Sequence, residues 1–217
     1  MGSLRLLIAD DHEIFRAGLR SLLEDEPGWQ VVAEASNGRE AVAKAEKTHP
    51  DVALLDIGMP ILNGLEAARE IIRRGPQTKV VMLTVHDSDA MIDKVLACGA
   101  RAYLFKTDAA RELVSAVKAV QGNTTYFTAK VEDVFLSRFK HNRSHTAGKS
   151  HAGCLTARQR EITQLLAEGR TNKEVAAFLD ISVKTAETHR ANLMRRLKCR
   201  SAAELVRYAV RNQIIEA

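Results

Sequence analysis

The sequence lacks long apolar runs and has few cysteines. Its longest apolar stretches, such as residues 52–55, are far shorter than the roughly 20 residues that a membrane-spanning helix needs. No positively charged and then apolar leader opens the chain, so we expect a protein that is not exported. The three cysteines, Cys98, Cys154 and Cys199, are odd in number and scattered, which is typical of a reducing cytosol. These absences predict a cytoplasmic protein with no membrane partner.

The charges are distributed unevenly along the chain. The 217 residues suit two compact domains of roughly 100–150 residues each. Residues 1–121 have a net charge of −3, whereas residues 122–217 have a net charge of +8. This asymmetry indicates that only the second part meets a polyanion, although chance variation in surface charge is an equal alternative at this point.

Short apolar strands alternate with amphipathic helices through residues 1–121. The predicted strands are Leu4–Ala9, Trp29–Ala33, Asp51–Asp56, Lys79–Thr84 and Ala102–Phe105. The predicted helices are one that carries Ile14, Phe15, Leu19, Leu22 and Leu23, and others near Arg39–Lys47, Gly64–Arg74, Ser88–Cys98 and Asp108–Val120. Five such repeats predict an α/β domain with a five-stranded, doubly wound parallel sheet of the flavodoxin-like kind. Functional groups collect at the carboxyl ends of the strands in such sheets.

Residues 122–154 are predicted to be a linker with one helix at 129–139, followed by a polar stretch rich in His, Ser and Gly. The side chains that suggest a zinc site there are His141, His145, His151 and Cys154. Their spacing matches no compact tetrahedral ligand set, so we interpret the segment as solvated linker.

Every segment of residues 155–217 is predicted to be helical. The helices are one from Thr156 to Gly169, then Asn172–Leu179, Val183–Leu197 and one from Ser201 to about Asn212. Ser182 is suited to cap the third helix. The pattern predicts a small all-α domain that contains a helix-turn-helix.

Charged and hydroxyl side chains follow four of the predicted strands. Asp10 and Asp11 follow the first and Asp56 ends the third. Clustered carboxylates resist ionisation unless a cation neutralises them, and Mg2+ is the simplest such cation. Thr84 ends the fourth strand and Lys106 follows the fifth, which completes a site for a phosphoryl group. The alternative for each acid alone is a helix cap or a loop residue. His12 and His86 are expected to be solvated residues at the rim.

The third helix of the all-α domain has a polar outer face. Its polar side chains are Lys184, Thr185, Glu187, Thr188, Arg190 and Arg195. A helix exposed in this way fits the major groove of double-stranded DNA. Glu187 is suited to accept from a cytosine amine, with pairing to Lys184 or Arg190 as the alternative. Asn172 and Lys173 are suited to phosphate contacts.

Residues 4–120 resemble the receiver domain of response regulators. The matching pieces are Asp10-Asp11, Leu54–Pro60, Asn63-Gly64, Thr84, Gly99-Ala100 and Tyr103–Lys106. The resemblance implies that Asp56 accepts a phosphoryl group from the phosphohistidine of a sensor histidine kinase. It implies that Asp11, Asp56 and the Gly58 carbonyl hold Mg2+ directly, with Asp10 acting through water. It also implies that Lys106 pairs with the phosphoryl group and that movement of Thr84 lets Tyr103 turn inward.

Val85 departs from the usual receiver pattern. The family often has Ala or Gly after the residue that corresponds to Thr84, where this chain has Val85. A branched side chain there would hinder water or small phosphodonors, so we expect slow loss of the phosphoryl group.

Residues 155–217 resemble the LuxR-type helix-turn-helix of the NarL/FixJ regulators. The matching pieces are Leu155-Thr156, Arg160-Glu161, Ala167–Gly169, Thr171–Ala176, Ile181-Ser182, Lys184–His189, Asn192-Leu193 and Leu197. Ala186 replaces a more usual Val. The resemblance implies a DNA operator and a homodimer, with RNA polymerase as a further candidate partner. It places Leu205, Val206, Tyr208 and Ala209 near a dimer seam.

The leading hypothesis is a phosphorylation-activated transcription regulator that is not an enzyme beyond gaining and losing its own phosphoryl group. An aspartate-nucleophile phosphatase is disfavoured because those enzymes need a second acid two residues after the nucleophile, where this chain has Gly58. A DNA-binding protein with a purely structural receiver is disfavoured by the complete acidic pocket.

Overall fold

A computed structural model of the chain describes residues 3–85, 89–127 and 155–215. The described residues divide into two compact units. Residues 3–59, 64–85 and 89–127 form the first unit, and residues 60–63 and 155–215 form the second. The predicted linker helix at 129–139, the candidate zinc ligands and His86 lie outside the described residues. Among the described helices, none has the length and apolar character needed to cross a membrane.

The first unit is a parallel sheet of six strands with five helices. The strands are β1 (Leu4–Ala9), β2 (Trp29–Ala35), β3 (Val52–Asp56), β4 (Lys79–Thr84), β5 (Ala102–Phe105) and β6 (Tyr126–Phe127). The helices are α1 (Glu13–Glu24), α2 (Gly38–Thr48), α3 (Gly64–Arg74), α4 (Asp89–Cys98) and α5 (Ala109–Gln121). The strand order is β2-β1-β3-β4-β5-β6, and every neighbouring pair is parallel. The predicted doubly wound α/β architecture is therefore confirmed.

Strand β6 is an addition to the five predicted strands. Its two residues fall within the predicted linker because such a short segment carries no recognisable alternation. Tyr126 and Phe127 pair with Ala102 and Tyr103 of β5, so the ladder at the edge of the sheet, rather than local sequence preference, places them in a strand.

Both faces of the central strands are buried, which explains their almost continuous apolar character. Leu6, Ile8 and Leu54 belong to a core cluster that includes Leu113 and Val117 of α5. The alternating residues Leu7, Leu55 and Met82 are also fully buried. Helix α1 contributes Leu19 and Leu23 to the core, whereas Ile14, predicted on the same apolar side, is 90% exposed.

The second unit contains four helices with side-chain caps at their amino ends. They are α6 (Ala157–Ala167), α7 (Asn172–Leu179), α8 (Val183–Leu197) and α9 (Ala202–Arg211). The hydroxyls of Thr156, Thr171, Ser182 and Ser201 each accept from a backbone N–H three residues later. Asp180 adopts a left-handed conformation with φ of 51° at the end of α7, which turns the chain into α8.

The same unit contains the segment Pro60–Asn63. The backbone N–H of Ile61 donates to the Glu168 carboxylate at 3.0 Å, and that of Asn63 donates to Gln164 Oε1 at 2.8 Å. Burial raises the pKa of Glu168, with the hydrogen bonds from Gln164 and Ile61 acting in the opposite direction. These hydrogen bonds satisfy backbone groups that a short buried segment would otherwise leave unpaired.

Candidate functional site

Four strands of the first unit end at one edge of the sheet and present polar side chains there. Strand β3 ends at Asp56 and β4 at Thr84, while Asp10 follows β1 and Lys106 follows β5. The register pairs Ala9 with Leu55 and Thr84 with Phe105, so the four strand ends are level. The parallel sheet therefore brings together residues that are up to 96 positions apart in the sequence.

Lys106 lies between two buried carboxylates. Its Nζ is 2.7 Å from Asp10 Oδ2 and 3.1 Å from Asp56 Oδ2. The side chain of Asp10 is fully buried and that of Asp56 is 5% exposed. Burial by itself would lower the pKa of Lys106, but the contact with Asp10 and the charge of Asp56 outweigh it, so the pKa is raised. One lysine facing two carboxylates leaves the site negatively charged, which fits an additional cation.

Asp11 and His12 extend the cluster toward solvent. The ligand atoms of Asp10, Asp11, His12 and Asp56 all lie within 4.8 Å of one another. This acidic cluster is of the kind that binds a metal ion, because carboxylate oxygens are the ligands that hard dications prefer. The predicted carbonyl ligand, Gly58, lies in the loop directly after β3. His12 is largely exposed, as expected of a residue at the solvated rim, and its ring nitrogen lies beside Asp10 and Asp11.

Thr84 and Tyr103 are fully buried beside this edge. The carbonyl of Thr84 accepts the backbone N–H of Lys106 at 2.7 Å, which joins β4 to the start of the next loop. The Tyr103 ring packs edge-on against Phe105, with 5.5 Å between centroids. This structure therefore has Tyr103 in the inward position, and exchange with an outward position stays a prediction. Val85, directly after Thr84, is 57% exposed.

Gly64 lets α3 begin against the backbone at the end of strand β3. A Cβ atom at this position would lie 2.0 Å from the Asp56 carbonyl oxygen and 3.0 Å from Ile57 Cα. The backbone N–H of Gly64 donates to the Ile57 carbonyl at 3.0 Å. The glycine of the Asn63-Gly64 motif is thus required by a close approach of backbone to backbone.

Arg16 is a residue of this site that the sequence reasoning missed. Its Nη1 donates to the backbone carbonyl of Asp10 at 2.8 Å, and its Nε lies 3.6 Å from Glu34 Oε2. The side chain is only 16% exposed. The sequence feature that could have indicated this role is a charged residue on the helix face that also carries Phe15 and Leu19. Arg16 ties α1 to the turn that presents the paired acids.

An apolar groove of about 510 Å³ borders the acidic cluster. Ile14, Phe15 and Leu19 of α1 line it together with Ala109 and Ala110 at the start of α5. His12, Val85 and Lys106 line its end nearest the acids. The exposed Ile14 side chain thus lines the same groove as His12 and Lys106, which are next to the acids.

Helix α8 of the second unit presents a polar face to solvent. Lys184, Glu187, Thr188 and Arg195 are exposed, whereas Ala186 and Leu193 are buried in the unit's core. The Thr185 hydroxyl lies 2.8 Å from the Ser182 cap, and half-buried Arg190 donates to Asn172 Oδ1 at 3.3 Å. Lys173 is exposed at the start of α7.

The sequence left open whether Glu187 contacts a cytosine amine or pairs with Lys184 or Arg190. Among the described residues, the structure gives it no ion pair with Lys184 or Arg190. Its carboxylate is exposed on the face that also carries Thr188. Glu187 is therefore available for contact with another molecule.

The predicted dimer seam on α9 stays a prediction, and the structure shows which of its residues are exposed. Leu205 and Ala209 are buried in the core cluster of their own unit, with Leu193 and Ile162. Both lie on the inner face of amphipathic α9, because positions four apart share one side of a helix. Only Val206 and Tyr208 of the four predicted residues are partly exposed.

Comparison with known proteins assigns both units to families. Residues 6–118 match the family described as response regulator receiver domain, and residues 154–209 match bacterial regulatory proteins of the luxR family. The transcriptional regulatory protein LiaR of Bacillus subtilis is 36% identical over 212 residues, which cover 98% of this chain and 99% of LiaR.

Solved structures agree with this assignment. A LuxR-family two-component response regulator from Aurantimonas has a TM-score of 0.59 and 30% identity, and the match covers 66% of this chain and all of that one. The RcsB response regulator of Salmonella typhimurium, described in connection with DNA interaction, has a TM-score of 0.58 and 25% identity. That match covers 96% of this chain and 98% of RcsB. The chain belongs to the NarL/FixJ-type response regulators of the LuxR family, and it is a phosphorylation-regulated transcription factor of a two-component system.

Proposed function

We propose that Asp56 is the phosphoryl acceptor of this regulator and that the phosphohistidine of a sensor histidine kinase is the donor. The observation that carries the proposal is the position of Lys106 Nζ, 2.7 Å from Asp10 and 3.1 Å from Asp56. An Asp56 oxygen forms a bond to phosphorus while the phosphorus–nitrogen bond of the donor breaks and the imidazole leaves. The ammonium group of Lys106 then faces the negative charge of the incoming phosphoryl group. Stabilising this charge is the main requirement of phosphoryl transfer.

The same proposal assigns Mg2+ to the acidic cluster. Asp11, Asp56 and the Gly58 carbonyl would hold the ion directly, and Asp10 would act through water. The excess of buried carboxylate over lysine charge supports this assignment. When bound, Mg2+ neutralises charge on the acceptor and the phosphoryl oxygens. Thr84 donates its hydroxyl to a phosphoryl oxygen. The unit gains and loses its own phosphoryl group and turns over no outside substrate.

The kinase docks, in this proposal, on the apolar groove beside the cluster. The groove shares His12 and Lys106 with the charged site, and its rim carries the exposed Ile14. A donor histidine must approach the edge of the sheet closely, so the surface around that edge has to accept the kinase. An exposed isoleucine at such a place supplies apolar area that a partner can bury.

Double-stranded DNA is the proposed partner of the second unit. Helix α8 enters the major groove, with Lys184, Thr185, Glu187 and Thr188 over the base edges and Arg190 and Arg195 along the backbone. Asn172 and Lys173 contact phosphates and set the register without reading sequence. The exposed carboxylate of Glu187 supports a contact with a cytosine amine.

Phosphorylation at Asp56 couples to DNA binding through a homodimer in this proposal. Movement of Thr84 and Tyr103 alters the surface of the first unit beside them. In the second unit, Val206 and Tyr208 are the partly exposed residues of the predicted dimer seam. The proposed boundaries are a receiver at 1–121, a linker at 122–154 and a DNA-binding domain at 155–217. The DNA operator and the kinase place the protein in the cytoplasm, where RNA polymerase is a further proposed partner.

The test of the receiver chemistry is an intact-mass measurement after incubation with a small phosphodonor and Mg2+. We expect one phosphoryl adduct on the wild-type chain and none on Asp56→Asn, and a shift to dimer that follows the adduct. Repeating the reaction with a phosphorylated histidine kinase distinguishes a site that small phosphodonors cannot reach from a site that cannot be phosphorylated. An adduct of equal size on Asp56→Asn, or no adduct from either donor, would remove Asp56 from the proposal.

The test of DNA reading compares two substitutions on the operator selected by the wild-type protein. Glu187→Gln should change the base preference at one position, because glutamine pairs with adenine and not with the cytosine amine. Lys173→Ala should weaken binding to all sequences alike and reduce the salt slope by about one. An unchanged base preference for Glu187→Gln would exclude Glu187 as a reader.

A further inference from the structure

An exposed valine stands at the start of α8. Of the residues that the structure describes, three large apolar side chains are exposed, and two of them, Ile14 and Val85, border the acidic site. The third is Val183, the first residue of α8, which is 43% exposed. The buried residues of this helix are Ala186 and Leu193, so residues other than Val183 anchor it to the core of the unit.

Neither helix propensity nor capping accounts for a valine at this position. Valine is a weaker helix former than alanine, because its branched side chain has few allowed rotamers in a helix. The helix dipole favours carboxylates in the first turn, and two of the other three helices of the unit, α7 and α9, carry Glu174 and Glu204 there. The first turn of α8, which the structure describes in full, has no acidic residue and includes the exposed Lys184. This end of α8 is therefore positive and suited to the approach of a polyanion.

Val183 precedes Glu187 by one helical turn. Residues four positions apart lie on the same side of a helix and are separated by about 6 Å along its axis. Successive base pairs of DNA are separated by about 3.4 Å. When the carboxylate of Glu187 contacts a cytosine amine, Val183 therefore reaches a base pair one or two steps away.

The chemistry of the major groove selects the base that a valine can contact. The C5-methyl group of thymine is an apolar group on a base edge, whereas the N7, O6, O4 and amino groups of the bases are acceptors or donors. A valine that covers a donor or acceptor removes its water and supplies no hydrogen bond in return. A valine that covers the methyl group buries apolar surface of both molecules. An exposed valine over the base edges thus favours thymine.

We propose that Val183 contacts the C5-methyl group of a thymine close to the base pair that Glu187 contacts, and that it is a specificity-determining residue for the operator. The inference rests on the proposed binding of α8 in the major groove. It adds the identity of one base to that proposal.

The experiment measures the affinity of the full chain for the operator that the wild-type protein selects from random DNA. Each thymine is replaced in turn by uracil, which removes the C5-methyl group and keeps the base pair. We expect one position in a half-site at which uracil weakens wild-type binding about fourfold, as expected for loss of one buried methyl group. Val183→Ala should bind the thymine and uracil operators equally at that position. The variant keeps its fold, because alanine is the better helix former.

Two further variants control for indirect effects. Val210→Ala makes the same truncation at a half-buried valine of α9, and its preference for thymine over uracil should equal that of the wild type. Val183→Ile keeps an apolar side chain and should retain the preference. A preference that falls equally in Val183→Ala and Val210→Ala would overturn the inference.

The outcomes separate this inference from the proposed function. Sequence-specific binding that no uracil substitution weakens overturns the role of Val183 and leaves DNA reading by α8 intact. A thymine preference that persists in Val183→Ala shows that another side chain contacts the methyl group, and it also overturns the inference. Equal binding of the wild-type chain to all DNA sequences overturns both.

Discussion

The close approach of α3 to the end of strand β3 leads to a sharp prediction for Gly64→Ala. In an open helix, replacing glycine by alanine stabilises the protein by about 0.5–1 kcal/mol, because alanine loses less chain entropy on folding. At Gly64 the added Cβ would lie 2.0 Å from the Asp56 carbonyl oxygen and 2.8 Å from its carbonyl carbon. These are backbone atoms of a buried strand, so neither side can yield by rotating a side chain.

The expected net effect is destabilisation of about 2–3 kcal/mol, since forced backbone shifts in packed regions typically cost about 1–3 kcal/mol and this contact is severe. Gly18→Ala is the matched control. Gly18 lies inside α1, and a Cβ atom added there would meet nothing within 4 Å, so we expect stabilisation by about 0.5–1 kcal/mol. The two substitutions are chemically identical and should have opposite signs.

Urea unfolding followed by the fluorescence of Trp29 provides the assay. Trp29 is the single tryptophan of the chain and packs against the core of the first unit, so its signal reports that unit. With a slope of about 2 kcal/mol per molar urea, Gly64→Ala should lower the midpoint by about 1 M. Phosphorylation at Asp56 should also slow, because the strand end moves. A midpoint equal to or above that of the wild type would refute the argument from close approach.

Three further predictions follow from exposed and charged groups of the first unit. Ile14→Asp should slow phosphoryl transfer from the kinase about tenfold, as expected for loss of an apolar contact, and should leave labelling by a small phosphodonor unchanged; equal slowing of both would count against docking there. Val85→Ala should shorten the lifetime of the phosphorylated form in a hydrolysis time course, and an unchanged lifetime would reject the shielding role. The hydrogen bond from Arg73 holds the pKa of Glu70 below its ordinary value of 4.5, with Arg74 acting in the same direction. The stabilisation from this pairing is therefore present above about pH 4.5 and is lost as pH falls through the lowered pKa. Glu70→Gln should accordingly cost less than about 1 kcal/mol at neutral pH and nothing in acid, as measured by Trp29 fluorescence; a pH-independent cost would contradict this.

Most of the fold could be predicted because its signals are local. The boundaries of β4, β5, α3, α7 and α8 match the predicted ones, since apolar alternation, helix caps and glycines mark them directly. The grouping of Asp10, Asp56 and Lys106 also followed from sequence, because parallel strands in one sheet end at one edge.

The errors and omissions concern contacts between residues that are distant in sequence. Ile14 has the spacing of a core residue but is 90% exposed, because α1 packs on the sheet one turn further along, at Leu19 and Leu23. Leu205 and Ala209 have the apolar character of a dimer seam, but the core of their own unit covers them. The helical period of a sequence indicates which residues share a face of the helix, but it does not indicate what that face packs against.

The sequence by itself therefore determined the two domain types, the parallel and doubly wound arrangement of the sheet, and the acids, hydroxyl and lysine at its edge. Only the tertiary structure decided that Arg16 holds the Asp10 carbonyl, that His12 Nδ1 lies within 3.2 Å of two carboxylates, and that Gly64 meets the backbone of Asp56. The physical reason is that the two kinds of information depend on interactions over different distances along the chain. Propensity, periodicity and motif order act over neighbouring residues and survive in the sequence, whereas distances of a few ångströms depend on how packed helices rest against the sheet.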